Sequence, residues 1–176
     1  MICMSLNICG VNTRKKQGWV KEVCSTKGVI FVGLQETRIT LVELFKTRSL
    51  WGNNNFDFAC STTRGNSGGI LSVWDPKVFK KSRIMCNDNL VLVEGTWVTK
   101  YMKCTMINVY APQDRQKKCD LWQLILGIMA RLDGGCIIFG DFNVVKSAEE
   151  RNGTNFCPYQ ASDFNNFILQ AGVVDI

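Results

Sequence analysis

Two short strings contain the residues whose types and positions could do chemistry: Gln35-Glu36-Thr37 and Gly140-Asp141-Phe142-Asn143. Each follows an apolar run that is typical of a buried β-strand, residues 29–34 and 136–139. Each therefore places a carboxylate where a strand ends, and two such carboxylates can meet at one edge of a sheet and hold a divalent metal ion. The pattern indicates metal-dependent attack on a phosphate ester.

The two strings leave alternatives open. Glu36 is either a metal ligand or a solvated loop residue. In extended backbone the side chains of Asp141 and Asn143 point to the same side. Asp141 could then activate or orient a water molecule while Asn143 donates to a phosphate oxygen. The alternative for this string is an Asx-type turn after a strand.

Three further polar side chains fall within or at the end of predicted strands: Asn7, Asn108 and Tyr110. Asn7 either needs a buried partner or faces a site. Asn108 and Tyr110 share a face of their strand, because side chains two residues apart point the same way. The Tyr110 hydroxyl could stabilise phosphate charge, or Tyr110 is a half-buried residue with its hydroxyl in water. Gly68-Gly69 indicates a turn or a close approach of the backbone.

The elements that must position these residues follow from hydrophobic periodicity and turn signals. Strands are predicted over residues 2–8, 29–35, 56–60, 69–74, 90–98, 102–110 and 136–141, and helices over 16–26, 40–50, 114–132 and 158–171. Residues 90–98 and 102–110 are expected to form a hairpin. This order of elements predicts an α+β fold with sheets inside and helices outside.

Composition favours a single intracellular domain over residues 1–176. The net charge of +6, with three clumps of basic residues, fits an anionic partner, although solvated surface charge is the alternative. Nine cysteines without a signal sequence indicate a reducing compartment, and structural zinc is not expected without Cys-x-x-Cys pairs or histidine. No apolar run is long enough for a membrane-spanning helix.

The order of five motifs resembles that of the endonuclease/exonuclease/phosphatase superfamily, which includes the DNase I-like nucleases. The motifs are Leu6-Asn7-Ile8-x-Gly10, Leu34-Gln35-Glu36-Thr37, Gly68-Gly69-Ile70, Asn108-Val109-Tyr110-Ala111-Pro112 and Gly140-Asp141-Phe142-Asn143. Two more segments, residues 149–153 and 164–168, are similar to the endonuclease domain of plant LINE-type non-LTR retrotransposons. That domain is normally fused to a reverse transcriptase.

The resemblance implies a four-layer α/β sandwich of the DNase I type, in which two packed mixed β-sheets are flanked by helices. It implies one catalytic Mg²⁺, with Mn²⁺ as the alternative ion, held chiefly by Glu36. The implied reaction is nicking of one strand of DNA, in the nucleus or cytoplasm. The resemblance gives the catalytic roles to Asp141, Asn143, Tyr110 and Asn7, and supporting or phosphate-contacting roles to Asn108 and Gln35.

The resemblance also implies groups that this chain lacks. In the superfamily a second strand-end Asp and a Ser-Asp-His motif complete the site, whereas the chain has no histidine. We therefore expect it to correspond to the N-terminal part of the domain, incomplete at the C-terminus and inactive by itself. Two alternatives stay open: a catalytically dead remnant with weak, salt-sensitive DNA binding, and a phosphomonoesterase of the same superfamily.

Overall fold

The computed structural model describes residues 2–39, 44–62, 68–151 and 155–174. The elements in chain order are β1 (Cys3–Asn7), α1 (Arg14–Lys27), β2 (Phe31–Gln35), α2 (Leu44–Trp51), β3 (Asp57–Ser61), β4 (Ile70–Trp74), β5 (Phe79–Cys86), β6 (Leu90–Trp97), β7 (Met102–Tyr110), α3 (Arg115–Met129), β8 (Gly135–Asp141) and α4 (Pro158–Ala171). Contacts divide the chain into two compact units, Met1–Tyr110 with Asp133–Asp141, and Ala111–Leu132 with Phe142–Ile176.

The first unit contains two mixed four-stranded sheets. The first sheet has the order β1-β2-β4-β3, with β1 and β2 parallel. Its register places Asn7 beside Gln35, so the carboxyl ends of β1 and β2 coincide. The second sheet has the order β5-β6-β7-β8, with β7 and β8 parallel. Its register places Tyr110 beside Asp141. In each sheet, therefore, two strand-end polar residues lie side by side.

The core of the first unit follows from the alternation of side chains along β2. Phe31 stacks at 5.4 Å on Trp74, its neighbour on β4 of the same sheet. On the side facing the second sheet it meets Phe79 of β5 edge-on at 5.7 Å. The intervening Val32 and Leu34 belong to a separate cluster that also holds buried residues of α1 and α2. All five residues of β2 are buried, because one face packs on the other sheet and the opposite face packs on helices.

The second unit is built around α3 and α4. Trp122 of α3 stacks on Phe167 of α4 at 4.8 Å and also meets Phe164 and Phe142. Asp114 caps α3 by accepting from the backbone N–H of Lys117 at 2.9 Å, as its position before the helix predicts. Phe164 and Phe167 are buried, and their helical spacing in the sequence forms an aromatic stripe that is typical of a core-facing helix side.

The predicted α+β class, with two mixed sheets and flanking helices, is confirmed, and so is the hairpin of β6 and β7. Residues 40–43 of the predicted helix 40–50, residues 152 and 153 of the segment 149–153, and residues 175–176 lie outside the described residues. The division into one domain stays a prediction. Among the described residues, none of the helices combines the length and the apolar composition that crossing a membrane requires.

The sequence prediction missed β5, whose residues are exposed on both faces except near its start. A strand whose two faces are both exposed to solvent shows no alternation of apolar and polar residues, so hydrophobic periodicity does not predict it. The strand lies at the edge of the second sheet, where Lys80, Lys81 and Arg83 are of the type that protects an edge from pairing with another chain.

Candidate active site

The turn after β2 holds Glu36 in a left-handed backbone conformation. The φ angle is +52° at Glu36 and +55° at Arg38, a region that residues other than glycine seldom adopt. The Gly10 N–H donates to the carbonyl oxygen of Glu36 at 2.7 Å. On the other side, the Thr37 N–H donates to the carbonyl oxygen of Gly69 at 3.0 Å. Because the main chain is clamped from both sides, it fixes the position of the Glu36 side chain.

The Gly68-Gly69 pair forms one side of that clamp. Its φ angles of +95° and +85° would strain any residue with a Cβ atom. Its carbonyl oxygens accept from the N–H groups of Arg38 and Thr37, each at 3.0 Å. The turn predicted here is thus also a close backbone approach, and it supports the loop that holds Glu36.

Both oxygens of the Glu36 carboxylate have side-chain partners. Arg38 Nη2 donates to Oε1 at 2.5 Å, and the Cys9 thiol donates to Oε2 at 3.4 Å. The hydrogen bond from Arg38 is the main reason why the pKa of Glu36 lies below its ordinary value, with smaller contributions from Cys9 and Asn7. The carboxylate is therefore ionised at neutral pH, which is the state that binds metal ions.

Asn7 brings the second carboxylate into the same cluster. Its Nδ2 donates to Oδ2 of Asp141 at 2.6 Å, across 134 positions of the chain. Its Oδ1 accepts from the backbone N–H of Cys9 at 3.2 Å. The Cys9 Sγ also lies 3.4 Å from this oxygen, so Asn7 Oδ1 and Glu36 Oε2 share the single thiol hydrogen as alternative acceptors. One amide thus joins the end of β1 in the first sheet to the end of β8 in the second. We call Asn7, Cys9, Glu36, Arg38 and Asp141 the strand-end cluster.

Tyr110 lies beside this cluster, paired with Asp141 in the sheet register. Burial raises the pKa of its hydroxyl, and the negative charges of Glu36 and Asp141 raise it further. The hydroxyl is therefore protonated at neutral pH and can donate a hydrogen bond to a phosphate oxygen. The carboxylates of Glu36 and Asp141 also present oxygen atoms at this edge, which are suitable ligands for a hard cation.

Gln35 and Asn108 form a buried polar network beneath the strand-end cluster. Both side chains are fully buried, and Gln35 Nε2 donates to Asn108 Oδ1 at 2.6 Å. Asn108 Nδ2 donates in turn to Ser72 Oγ at 3.1 Å and links the two sheets. Gly33 makes room for this contact, because a Cβ at Gly33 would lie only 2.7 Å from the Asn108 amide nitrogen. Gln35 and Asn108 were each predicted either to support the site or to contact phosphate. Their burial fits the supporting role, because neither side chain is accessible to a phosphate group.

Asn143 belongs to the second unit, where its side chain is fixed within that unit. Nδ2 donates to the carbonyl oxygen of Ala111 at 2.6 Å, and Oδ1 accepts from Gln113 Nε2 at 2.8 Å. Of the two alternatives for this string, the structure favours a turn over extended backbone, since β8 ends at Asp141 and Asn143 has a φ of +50°. The shared direction of the Asp141 and Asn143 side chains therefore does not follow from a strand geometry.

A buried lysine holds the main chain at Asn143. Lys118 of α3 is only 3% exposed, and its Nζ donates to the Asn143 carbonyl oxygen and to Gln160 Oε1, both at 2.7 Å. Lysine is rarely buried to this degree unless its charge is hydrogen-bonded. The three residues form what we call the Asn143 turn, in which α3 and α4 both hold the loop after β8.

The strand-end cluster fits a hard divalent cation. Among the described ranges of the chain, no three or more His, Cys, Asp and Glu side chains gather into an enclosing metal site. Mg²⁺ needs no such enclosure, because it is usually bound by one or two carboxylates together with substrate phosphates. The Cys9 thiol has its pKa raised, first by its hydrogen bond to Glu36, so it remains a thiol rather than a metal-binding thiolate.

Sequence reasoning missed three residues that organise these sites: Cys9, Arg38 and Lys118. Arg38 follows Glu36 by two positions, but nothing local shows that the turn folds its guanidinium back onto the carboxylate. Lys118 was interpreted as part of a basic clump, whereas its position four residues before the core residue Trp122 is a signal that it shares the buried face of α3.

Comparison with solved structures shows the same fold in AP endonucleases and in TDP2. The AP endonuclease LMAP from Leishmania major aligns with a TM-score of 0.77 and 13% identity over 98% of this chain and 66% of that chain. An AP endonuclease from Archaeoglobus fulgidus aligns with a TM-score of 0.72 and 12% identity, over 94% of this chain and 69% of that chain. Truncated TDP2 from Caenorhabditis elegans aligns with a TM-score of 0.62 and 17% identity, over 87% of this chain and 65% of that chain. The chain thus spans about two thirds of the length of these structures.

A search of curated proteins finds no match to this chain. A family model, in contrast, matches residues 4–169, which include every residue of the strand-end cluster. The match covers far more than half of the 176 residues and agrees with the order of the five motifs. This protein belongs to the endonuclease/exonuclease/phosphatase family.

Proposed function

We propose that the strand-end cluster is the metal- and phosphate-binding part of a phosphodiesterase site that acts on DNA. The observation that supports this is the Asn7 amide, which contacts Asp141 directly and Glu36 through Cys9. The contacts thus bring Glu36 at the end of β2 and Asp141 at the end of β8 into one cluster, and carboxylate oxygens are the ligands that Mg²⁺ prefers. A divalent cation together with a phosphate diester would complete this arrangement.

Each residue of the cluster has a role that its position supports. Glu36, with its lowered pKa, would hold Mg²⁺ or Mn²⁺. Asp141 is held by Asn7 at 2.6 Å and would orient the attacking water. The Tyr110 hydroxyl, kept protonated, would donate to a phosphate oxygen. When bound, the metal ion would act as a Lewis acid on the phosphate. The phosphate contact of Asn143 stays a prediction.

We further propose DNA as the substrate, and a nicking endonuclease of the LINE retrotransposon type as the protein from which this chain derives. The similar solved structures are AP endonucleases and TDP2, one of them with a single-stranded DNA product bound. The net charge of +6 favours a polyanion. A DNA substrate favours action in the nucleus. If the chain derives from such a retrotransposon protein, the endonuclease domain would be fused to a reverse transcriptase.

The second candidate is a catalytically dead protein that still binds metal and DNA. The observation that favours it is the absence of histidine from all 176 residues. Removing one acid–base or electrostatic partner from such a site typically lowers the rate by roughly 10²- to 10⁴-fold. We therefore expect the chain by itself to bind Mg²⁺ and DNA and to cleave very slowly.

The test combines binding and nicking. Mn²⁺ affinity and relaxation of supercoiled plasmid are measured for the 176-residue chain, Glu36→Gln and Asp141→Asn, with Glu94→Gln as a control whose carboxylate faces Arg83 in the second sheet. We expect Mn²⁺ binding to weaken more than about 10-fold in Glu36→Gln and to be unchanged in the control. Nicking that disappears in both site variants would show that histidine is dispensable. If Glu36→Gln binds Mn²⁺ as tightly as the natural chain, the proposed site is overturned.

A further inference from the structure

Arg38 contacts the same carboxylate that the proposed function assigns to the metal ion. Its Nη2 lies 2.5 Å from Glu36 Oε1, while the Cys9 thiol donates only a weak hydrogen bond to Oε2. A guanidinium and a divalent cation repel each other, so both cannot share Glu36 at full strength. The contact therefore has to weaken or break when a metal ion binds.

The exposure of the two side chains shows which partner can leave. The Glu36 side chain is 14% exposed, whereas the Arg38 side chain is 47% exposed. Rotating Arg38 away from Glu36 therefore returns its charge to water and opens no part of the core. Rotating the mostly covered Glu36 would disturb its contacts with Cys9.

The backbone of this turn does not depend on the ion pair. The Arg38 N–H donates to the carbonyl oxygen of Gly68 at 3.0 Å, and the neighbouring Thr37 is tied to Gly69 in the same way. The Arg38 stem also passes close to Gly10, where a Cβ would lie 3.4 Å from Arg38 Cδ. Loss of the contact would thus move the guanidinium while the Cα positions of the turn stay in place.

We propose that Arg38 is a displaceable counter-ion of Glu36, which releases the carboxylate when a divalent cation binds and then contacts a phosphodiester oxygen. This inference rests on the proposed function. A guanidinium offers several N–H donors in one plane, a geometry that matches phosphate oxygens well. Arg38 thereby couples metal binding to DNA binding, and each ligand strengthens the binding of the other.

The proposal predicts that Arg38→Gln changes the affinity for the metal ion and the affinity for DNA in opposite directions. Without DNA, the variant should bind Mn²⁺ roughly 3- to 10-fold more tightly than the natural chain, because a competing cation has been removed. With saturating Mg²⁺, it should bind a DNA oligonucleotide more weakly. Without metal, its DNA affinity should change little. A structural role for Arg38 would instead weaken every one of these affinities.

The experiment measures free Mn²⁺ by electron paramagnetic resonance and DNA binding by fluorescence anisotropy, with and without Mg²⁺. Arg83→Gln is the matched control, since Arg83 is also exposed and also paired with a glutamate, at 3.7 Å in the second sheet. Arg38→Met serves as a second variant if Arg38→Gln folds poorly.

Two results would separate the inference from the proposed function. If Glu36→Gln abolishes Mn²⁺ binding but Arg38→Gln binds Mn²⁺ no more tightly than Arg83→Gln, the counter-ion role is overturned and the metal site stands. If Mn²⁺ binding does not depend on Glu36, the proposed site itself is overturned. Tighter Mn²⁺ binding by Arg38→Gln, together with a smaller gain in DNA affinity on adding Mg²⁺, supports the proposal.

Discussion

Two turns of this chain carry candidate site residues, and they hold those residues in opposite ways. At the turn after β2, Glu36 is held by the side chains of Cys9 and Arg38, both of which are exposed. At the turn after β8, the main chain at Asn143 is held by Lys118, whose charge lies in the interior of the second unit. Contacts made in water add little stability and exchange readily, whereas interior contacts are costly to break. The first turn is thus built to change partners and the second to keep them.

Each turn nevertheless has rigid support within its own unit. Beneath the first lies the buried pair of Gln35 and Asn108, joined at 2.6 Å. In the second, Lys118 itself is the support. In the first unit, therefore, different residues provide stability and exchange of partners, whereas in the second unit Lys118 provides stability alone.

Removing the buried charge tests the second turn and should have the largest effect. Lys118→Met leaves the Asn143 carbonyl oxygen and Gln160 Oε1 without their donor. We expect the free energy of unfolding to fall by about 2–4 kcal/mol, because two partly buried acceptors each lose a hydrogen bond to a charged group, which is worth about 1.5–3 kcal/mol. Urea denaturation measures this, with the exposed neighbour Lys117→Met as a control expected to stay within about 0.5 kcal/mol. Equal stability of the two variants would contradict the comparison.

Crowding the base of the first turn should have the next largest effect. Gly33→Ala would push a methyl group against Asn108 and Phe139, and the expected cost in unfolding free energy is about 1–3 kcal/mol. Gly127→Ala is the matched control, because nothing lies within 4 Å of its added Cβ and it sits inside α3. That variant should be more stable by about 0.5–1 kcal/mol. If the two variants shift stability alike, the buried network does not depend on Gly33.

The backbone at Asn143 allows a finer test of the locked turn. With φ at +50°, Asn143→Ala and Asn143→Gly both lose the side-chain contacts, but only alanine is strained in this conformation. We expect Asn143→Ala to be less stable than Asn143→Gly by about 1 kcal/mol in thermal or urea unfolding. The reverse order would mean that the turn relaxes when its side-chain contacts are lost.

The smallest effect concerns the exchangeable contact at the first turn. Arg38→Gln should raise the pKa of Glu36 toward its ordinary value, because the Arg38 hydrogen bond is the main cause of its lowering. The free energy of unfolding at neutral pH should fall only slightly, because the Arg38 side chain of this pair is exposed. Since the folded-state pKa is depressed, any stabilisation by this pair is present above the ordinary carboxyl pKa and is lost as the pH falls through the lowered one. Carboxyl NMR titration measures the shift. An unaltered pKa of Glu36 in the variant would show that the hydrogen bonds of Cys9 and Asn7, rather than that of Arg38, lower this pKa.

The fold could be predicted from the sequence wherever one face of an element is apolar. Helix α4 was predicted over 158–171 and is observed as Pro158–Ala171, since its aromatic stripe, its early proline and Gly172 agree. Strand β5 could not be found, because its exposed faces give no periodic signal. For the string that ends at Asn143 the sequence left extended backbone and a turn as alternatives, and only the structure shows the turn with its side-chain contacts to Ala111 and Gln113.

From the sequence alone one could predict the family motifs, most of the strands and helices, and the ends of β2 and β8, next to which Glu36 and Asp141 lie. These features depend on neighbouring residues and on the period of each element, which are local properties of the chain. Only the tertiary structure decided that Asn7 contacts Asp141 and that Arg38 folds back onto Glu36. Such partners depend on strand order, register and turn conformation, and residues 134 positions apart carry no local sign that they meet.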